Sequence, residues 1–126
     1  MGEYMGAGFK KCIFDYSNIG KIKNADIEYE YKSKSCSDNF KIYIKLDNKK
    51  EKVLDVKYEI FGCVAIMAGS SVTCKLIKNK TIKEILTLKD IDILSNFDEY
   101  PDERLDCILK MKECIINDIF VNYAQK

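Results

Sequence analysis

Apolar and polar residues alternate over two stretches of the chain and then give way to helical spacing. Ile27-Glu28-Tyr29-Glu30-Tyr31-Lys32 and Phe40-Lys41-Ile42-Tyr43-Ile44-Lys45-Leu46 carry this alternation. A period of two is the mark of a strand with one wet face. Val53 to Ile60 predicts a third strand, with Val56, Tyr58 and Ile60 on one face. Polar connections, Ser33 to Asn39 and Asp47 to Lys52, join the three. Connections this short favour an antiparallel meander over parallel crossovers.

Beyond Phe61-Gly62 the spacing becomes helical. Val64, Met67, Ser71 and Leu76 mark a helix to about Lys78, with Asn79 as its stop. Its small residues, Ala65, Ala68, Gly69, Ser70 and Ser71, allow close packing on the sheet. Thr81 and Glu84 have capping-box spacing and open a short helix through Leu86. Another turn or two fits between Leu88 and Ser95. Pro101-Asp102-Glu103 opens the last helix. In it Leu105, Ile108, Met111 or Lys112, Ile115, Ile119 and Tyr123 recur at helical spacing. Near the start, Phe9 to Tyr16 predicts a short helix that Ser17-Asn18-Ile19-Gly20 breaks, and residues 1–8 are expected to fray. The fold class is α+β, a three-stranded antiparallel sheet with helices packed on one face. One domain spans residues 1–126.

Composition narrows the function. The 21 basic and 20 acidic residues leave a net charge of +1, so no basic field calls for nucleic acid or an anionic membrane surface. No apolar run approaches the roughly 20 residues of a membrane span. Met1-Gly2-Glu3-Tyr4-Met5-Gly6 lacks the pattern of a secretory signal. Six cysteines without such a signal point to a cytoplasmic protein whose cysteines are thiols or metal ligands. There is no histidine, which removes the usual general base and the usual imidazole ligand. A metal site here must use sulfur and carboxylate.

Cys63 follows a strand and a glycine and is expected in the first turn of its helix. Unpaired N–H groups and the helix dipole favour an anion there, so a thiol at that place ionises more easily. The competing reading is a small buried hydrophobe. Cys36 lies in the loop between strands one and two, and Cys107 near the start of the last helix. In an antiparallel meander these element ends can share one edge. Asp38 is a fourth donor in the same loop as Cys36. Three thiolates and a carboxylate suit tetrahedral zinc or iron. The spacing is not diagnostic: 27 residues separate Cys36 from Cys63 and 44 separate Cys63 from Cys107. Cys12, Cys74 and Cys114 fall within helical stretches and are expected in the core.

Cys36-Ser37-Asp38, Phe61-Gly62-Cys63 with Ala68-Gly69-Ser70-Ser71, Asp106-Cys107 and Asn18-Ile19-Gly20 stand in order over about residues 10–126. In these motifs the chain resembles the IscU and NifU amino-terminal family of iron–sulfur cluster assembly scaffolds. The resemblance implies a scaffold rather than an enzyme. It implies cluster ligands at Cys36, Cys63 and Cys107 with Asp38, and a persulfide acceptor at Cys107. A cysteine desulfurase would supply the sulfur, and apo-protein or carrier acceptors would take the cluster. The cargo would be a transient two-iron two-sulfur cluster, with Zn²⁺ in the resting form. The chain also departs from the family. Ser37 replaces a glycine, and Asp106 replaces the histidine ligand, so Asp38 and Asp106 compete for the fourth position. Arg104 matches a basic position that would hold persulfide or cluster charge. The stretch read by the family's chaperone stands here as Tyr100-Pro101-Asp102-Glu103-Arg104, so the resemblance does not carry chaperone recognition across. Two alternatives remain. One is a zinc-dependent sulfurtransferase like the SufU branch, against which the 44-residue gap counts because that branch carries an insertion there. The other is a docking module whose metal only staples the fold.

Overall fold

A computed structural model describes residues 11–12, 15–34 and 38–124 of the chain. Three strands form the sheet: β1 (Ile27–Lys32), β2 (Asn39–Leu46) and β3 (Val53–Phe61). The order is β1-β2-β3 and both pairings are antiparallel, as the short connections require. The helices follow: α1 (Val64–Ile77), α2 (Ile82–Leu86), α3 (Asp90–Leu94) and α4 (Leu105–Cys114). A 3-10 turn at Asp102–Arg104 leads into α4. A π-helical stretch at Ile115–Phe120 then passes the chain to α5 (Val121–Ala124). The expected helix over 9–16 and the expected frayed start lie mostly outside the described residues.

One face of the sheet is the core. Phe40, Ile42, Ile44 and Leu46 of β2 are buried beside Val53, Val56 and Tyr58 of β3. Ile66, Cys74 and Ile77 of α1 pack on them, with Met111, Cys114, Ile115, Ile119 and Phe120 from the last helical run. A second layer lies behind α1, where Ala65, Ala68 and Val72 meet Ile93, Phe97, Ile108 and Leu109. Burial of each large aliphatic or aromatic side chain contributes about 1.5–3 kcal/mol. Helix α1 is therefore covered on two sides, which is why its apolar residues form no narrow stripe. The small residues expected to meet the sheet serve the other side as well. A Cβ on Gly69 would fall 1.9 Å from the Ile108 carbonyl oxygen, so α1 and α4 touch backbone to backbone there.

The outer face of the sheet is charged. Lys41 pairs with Glu28 at 3.2 Å, and the Tyr43 hydroxyl donates to Glu59 at 2.6 Å. Asn18-Ile19-Gly20, expected as a helix breaker and as one of the motifs of the resemblance, lies along β3. Tyr58 N–H donates to the Asn18 carbonyl and Gly20 N–H to the Tyr58 carbonyl, each at 2.9 Å. The Asn18 side chain is buried and donates to the Val56 carbonyl at 2.9 Å. Thr81 caps α2 with both bonds of the capping box, as its sequence predicts. Asn79 ends the preceding run at φ 68°, a left-handed position that Asn tolerates.

Candidate metal centre

Register builds the site. Asn39 of β2 pairs with Phe61 of β3 at the sheet's end. One residue beyond that pair, Asp38 on one side faces Gly62 and Cys63 on the other. The loop from β1 is closed by Ser33 N–H donating to the Asp38 carbonyl at 2.9 Å. Helix α4 lies across α1 at Gly69 and Ile108, which carries Cys107 to the same end.

The three side chains meet. One donor atom each from Asp38, Cys63 and Cys107 lies within 4.8 Å of the others. Asp38 is only 9% exposed, and the two thiols are half-buried. Asp38 Oδ1 accepts from the Cys63 N–H at 3.0 Å. Its Oδ2 stands 3.8 Å from both Cys63 Sγ and Cys107 Sγ. Cys63 is the N-cap of α1, one residue ahead of the first turn where the sequence predicts it, and its side chain caps nothing. The anion at this helix start is thus the Asp38 carboxylate, held by the Cys63 N–H at the positive end of the dipole. The Cys63 sulfur is left facing Cys107.

Gly62 makes the arrangement possible. A Cβ there would fall 2.6 Å from Asp38 Oδ1 and 2.9 Å from Ile66 Cγ2. Nothing in the sequence marks this role, since a glycine after a strand reads as a turn.

Cys107 shows the electrostatic cost of the cluster. Burial, then the neighbouring Cys63 thiol and the Asp38 carboxylate, push its thiol up to about 12, and the Arg104 guanidinium pulls the other way. Groups that can become anionic at such close quarters favour a cation between them. A metal then takes the proton's place. Donors of two sulfurs and one oxygen suit zinc or iron.

The other predicted site residues fall as follows. Cys36 lies outside the described residues. Asp106 is exposed and stands outside the group formed by Asp38, Cys63 and Cys107. Cys74 and Cys114 are buried, as expected, and Cys12 is half-buried. No helix among the described residues is long and apolar enough to cross a membrane.

A family model described as the NifU-like N terminal domain matches residues 11–126. The iron–sulfur cluster assembly scaffold protein IscU 1 of Archaeoglobus fulgidus is 32% identical over 99 residues, 75% of this chain and 63% of that protein. The iron–sulfur cluster assembly protein IscU of Plasmodium falciparum is 36% identical over 92 residues, 73% of this chain and 54% of that protein. The match therefore spans less than two-thirds of the length of either relative. Among solved structures, the N-terminal NifU-like protein of Brucella abortus superposes with a TM-score of 0.74 at 18% identity, covering 96% of this chain and 94% of that one. FiSufU of Fervidobacterium islandicum AW-1 superposes with a TM-score of 0.61 at 26% identity, covering 86% and 79%. A family model matched over nearly the whole length, on a fold that the solved relatives share, shows that the chain belongs to the NifU-like N-terminal domain family.

Proposed function

We propose that the chain is a scaffold on which a transient iron–sulfur cluster is built and from which it is handed on. The observation that carries this reading is the meeting of Asp38, Cys63 and Cys107 within 4.8 Å. Matched relatives named as cluster-assembly scaffolds support it. Cys36, two positions before Asp38 in sequence, completes the proposed ligand set. Asp38 is the fourth donor in preference to Asp106, because only Asp38 stands among the thiols.

A cysteine desulfurase supplies the sulfur. Cys107 Sγ, giving its proton to the Asp38 carboxylate 3.8 Å away as it reacts, attacks the outer sulfur of the desulfurase persulfide and forms a new S–S bond. The old S–S bond breaks, and its electron pair leaves on the desulfurase thiolate. Arg104, three residues before Cys107, offsets the charge of the product. A two-electron reductant supplied from outside, a thiol or a reduced electron carrier, reduces the outer sulfur of the Cys107 persulfide to sulfide and leaves Cys107 as a thiolate. Iron and sulfide then assemble as a two-iron two-sulfur cluster on the thiolates and Asp38. The carboxylate is a harder donor than a thiolate, so one corner of the cluster is held less firmly. That corner is where an apo-protein or carrier acceptor takes over. Between rounds Zn²⁺ occupies the same donors.

The test is anaerobic reconstitution with iron, cysteine and a desulfurase. Visible absorption from a protein-bound cluster is expected, and Cys63→Ala should abolish it. A wild-type protein that forms no cluster contradicts the reading. If it instead binds zinc stoichiometrically and accelerates the desulfurase, it is a sulfurtransferase.

A further inference from the structure

Sulfur arrives on Cys107 as a persulfide and must gain electrons to become sulfide. Among the described residues, the thiol placed to supply them is that of Cys63. The Sγ atoms of Cys63 and Cys107 lie within 4.8 Å of each other, both half-buried at one end of the fold. Cys63 is an N-cap whose sulfur makes no capping hydrogen bond to its own helix. Asp38 Oδ2 stands 3.8 Å from both sulfurs and can accept the proton of either. The buried thiols Cys74 and Cys114 lie outside this group.

We propose that Cys63 resolves a persulfide on Cys107 whenever no metal ion occupies the site. The Cys63 sulfur attacks Cys107 Sγ and forms the Cys63–Cys107 disulfide. The bond between Cys107 Sγ and the outer sulfur breaks, and the electron pair leaves on that outer sulfur. The proton given up by Cys63, relayed by Asp38, goes with it, so the product is hydrogen sulfide. The two cysteines together supply the two electrons that reduce the sulfane sulfur. A bound cation prevents this. The Cys63 electron pair, which the attack needs, is then committed to the metal. The site therefore keeps its sulfur only when a metal is present to use it, and otherwise discharges it. This rests on Cys107 as the sulfur acceptor.

The experiment loads metal-free full-length protein with glutathione persulfide without oxygen, removes the small thiols, and follows hydrogen sulfide release and disulfide pairing by non-reducing peptide mapping. The wild type should release about one equivalent of sulfide and acquire a Cys63–Cys107 disulfide. Zinc added together with the persulfide donor, so that loading and metal binding compete with discharge, and separately Cys63→Ser, should each reduce the sulfide released per Cys107 persulfide formed at least ten-fold and leave the persulfide on Cys107. A wild type that keeps its persulfide, releases sulfide equally with zinc bound, or forms a disulfide from another pair overturns the proposal while leaving Cys107 as acceptor. A protein that takes no sulfur on Cys107 overturns both. Mapping the wild type decides the pairing even if the variant folds poorly.

Discussion

A missing side chain at position 62 does as much for the site as the donors themselves. Any Cβ there meets the Asp38 carboxylate at 2.6 Å and Ile66 at 2.9 Å. Asp38 is fixed by the Cys63 N–H and cannot yield without losing that bond. Gly62→Ala should therefore displace the carboxylate and weaken zinc binding by about ten-fold or more, the usual effect of disturbing the groups that orient a ligand. Competition with a chromophoric chelator measures it. Unchanged affinity would mean that Asp38 does not bind the metal. The sequence made the cysteines and Asp38 legible as candidates, because their residue types limit the chemistry when histidine is absent. It hid Gly62, because the clash involves a residue 24 positions away in a different strand's approach.

Between elements, the closest approach is that of α1 and α4. Gly69→Ala would drive a methyl into the Ile108 backbone, which cannot rotate away as a side chain can. We expect a loss of roughly 1–3 kcal/mol, seen as a lower midpoint in thermal or urea unfolding. Weaker metal binding should accompany it, since Cys107 is the residue before Ile108. A second prediction concerns the approach to β1. Asp26 accepts from the Leu46 N–H at 2.7 Å and pairs with Lys50 and Lys45. The Lys50 hydrogen bond, then that of Leu46, holds the Asp26 carboxyl down to about 2. A carboxyl lowered on folding adds stability that is fully present above its unfolded value, near 3.9, and is lost as pH falls through the folded value. Asp26→Asn should therefore lower the unfolding midpoint at pH 6, and the gap to wild type should close between about pH 4 and pH 2. A gap that persists at pH 2 contradicts this role.

The element scale also shows what sequence could and could not convey. The alternation in 27–32 and 40–46 located β1 and β2 because each strand has one wet face. The helix α1 was found by its length and small residues, but its buried circumference gave no stripe from which to tell the sheet side from the α4 side. The π-helical stretch has the sequence pattern of ordinary helix, since one extra residue in a turn scarcely alters the apolar spacing. Leu105 is half-exposed although its spacing placed it on the buried face, because it lies where the 3-10 turn hands over to α4. The pairing of Ile19 with Tyr58 is a single bridge between distant segments, too short for any periodicity.

For the whole molecule, the meander brings the β1–β2 loop and the end of β3 to one edge, and the α1–α4 crossing adds the start of the last helix. Convergence of Asp38, Cys63 and Cys107 was thus legible from topology, while the distances were not. The assembled site ties metal binding to protons. With the Cys107 thiol up at about 12 in the metal-free protein, a metal that binds its thiolate must expel that proton. Zinc affinity should accordingly rise about ten-fold per pH unit for each proton released. Cys107→Ser should flatten that slope by one proton in titrations between pH 6.5 and 8. An unchanged slope would exclude Cys107 as a ligand.

X-ray absorption at the zinc edge of the purified protein tests the central claim most directly. The account predicts a tetrahedral shell of three sulfurs at about 2.3 Å and one oxygen at about 2.0–2.2 Å, with one sulfur lost in Cys63→Ala. A shell made only of oxygen and nitrogen, or a sulfur count that Cys63→Ala leaves unchanged, would contradict it.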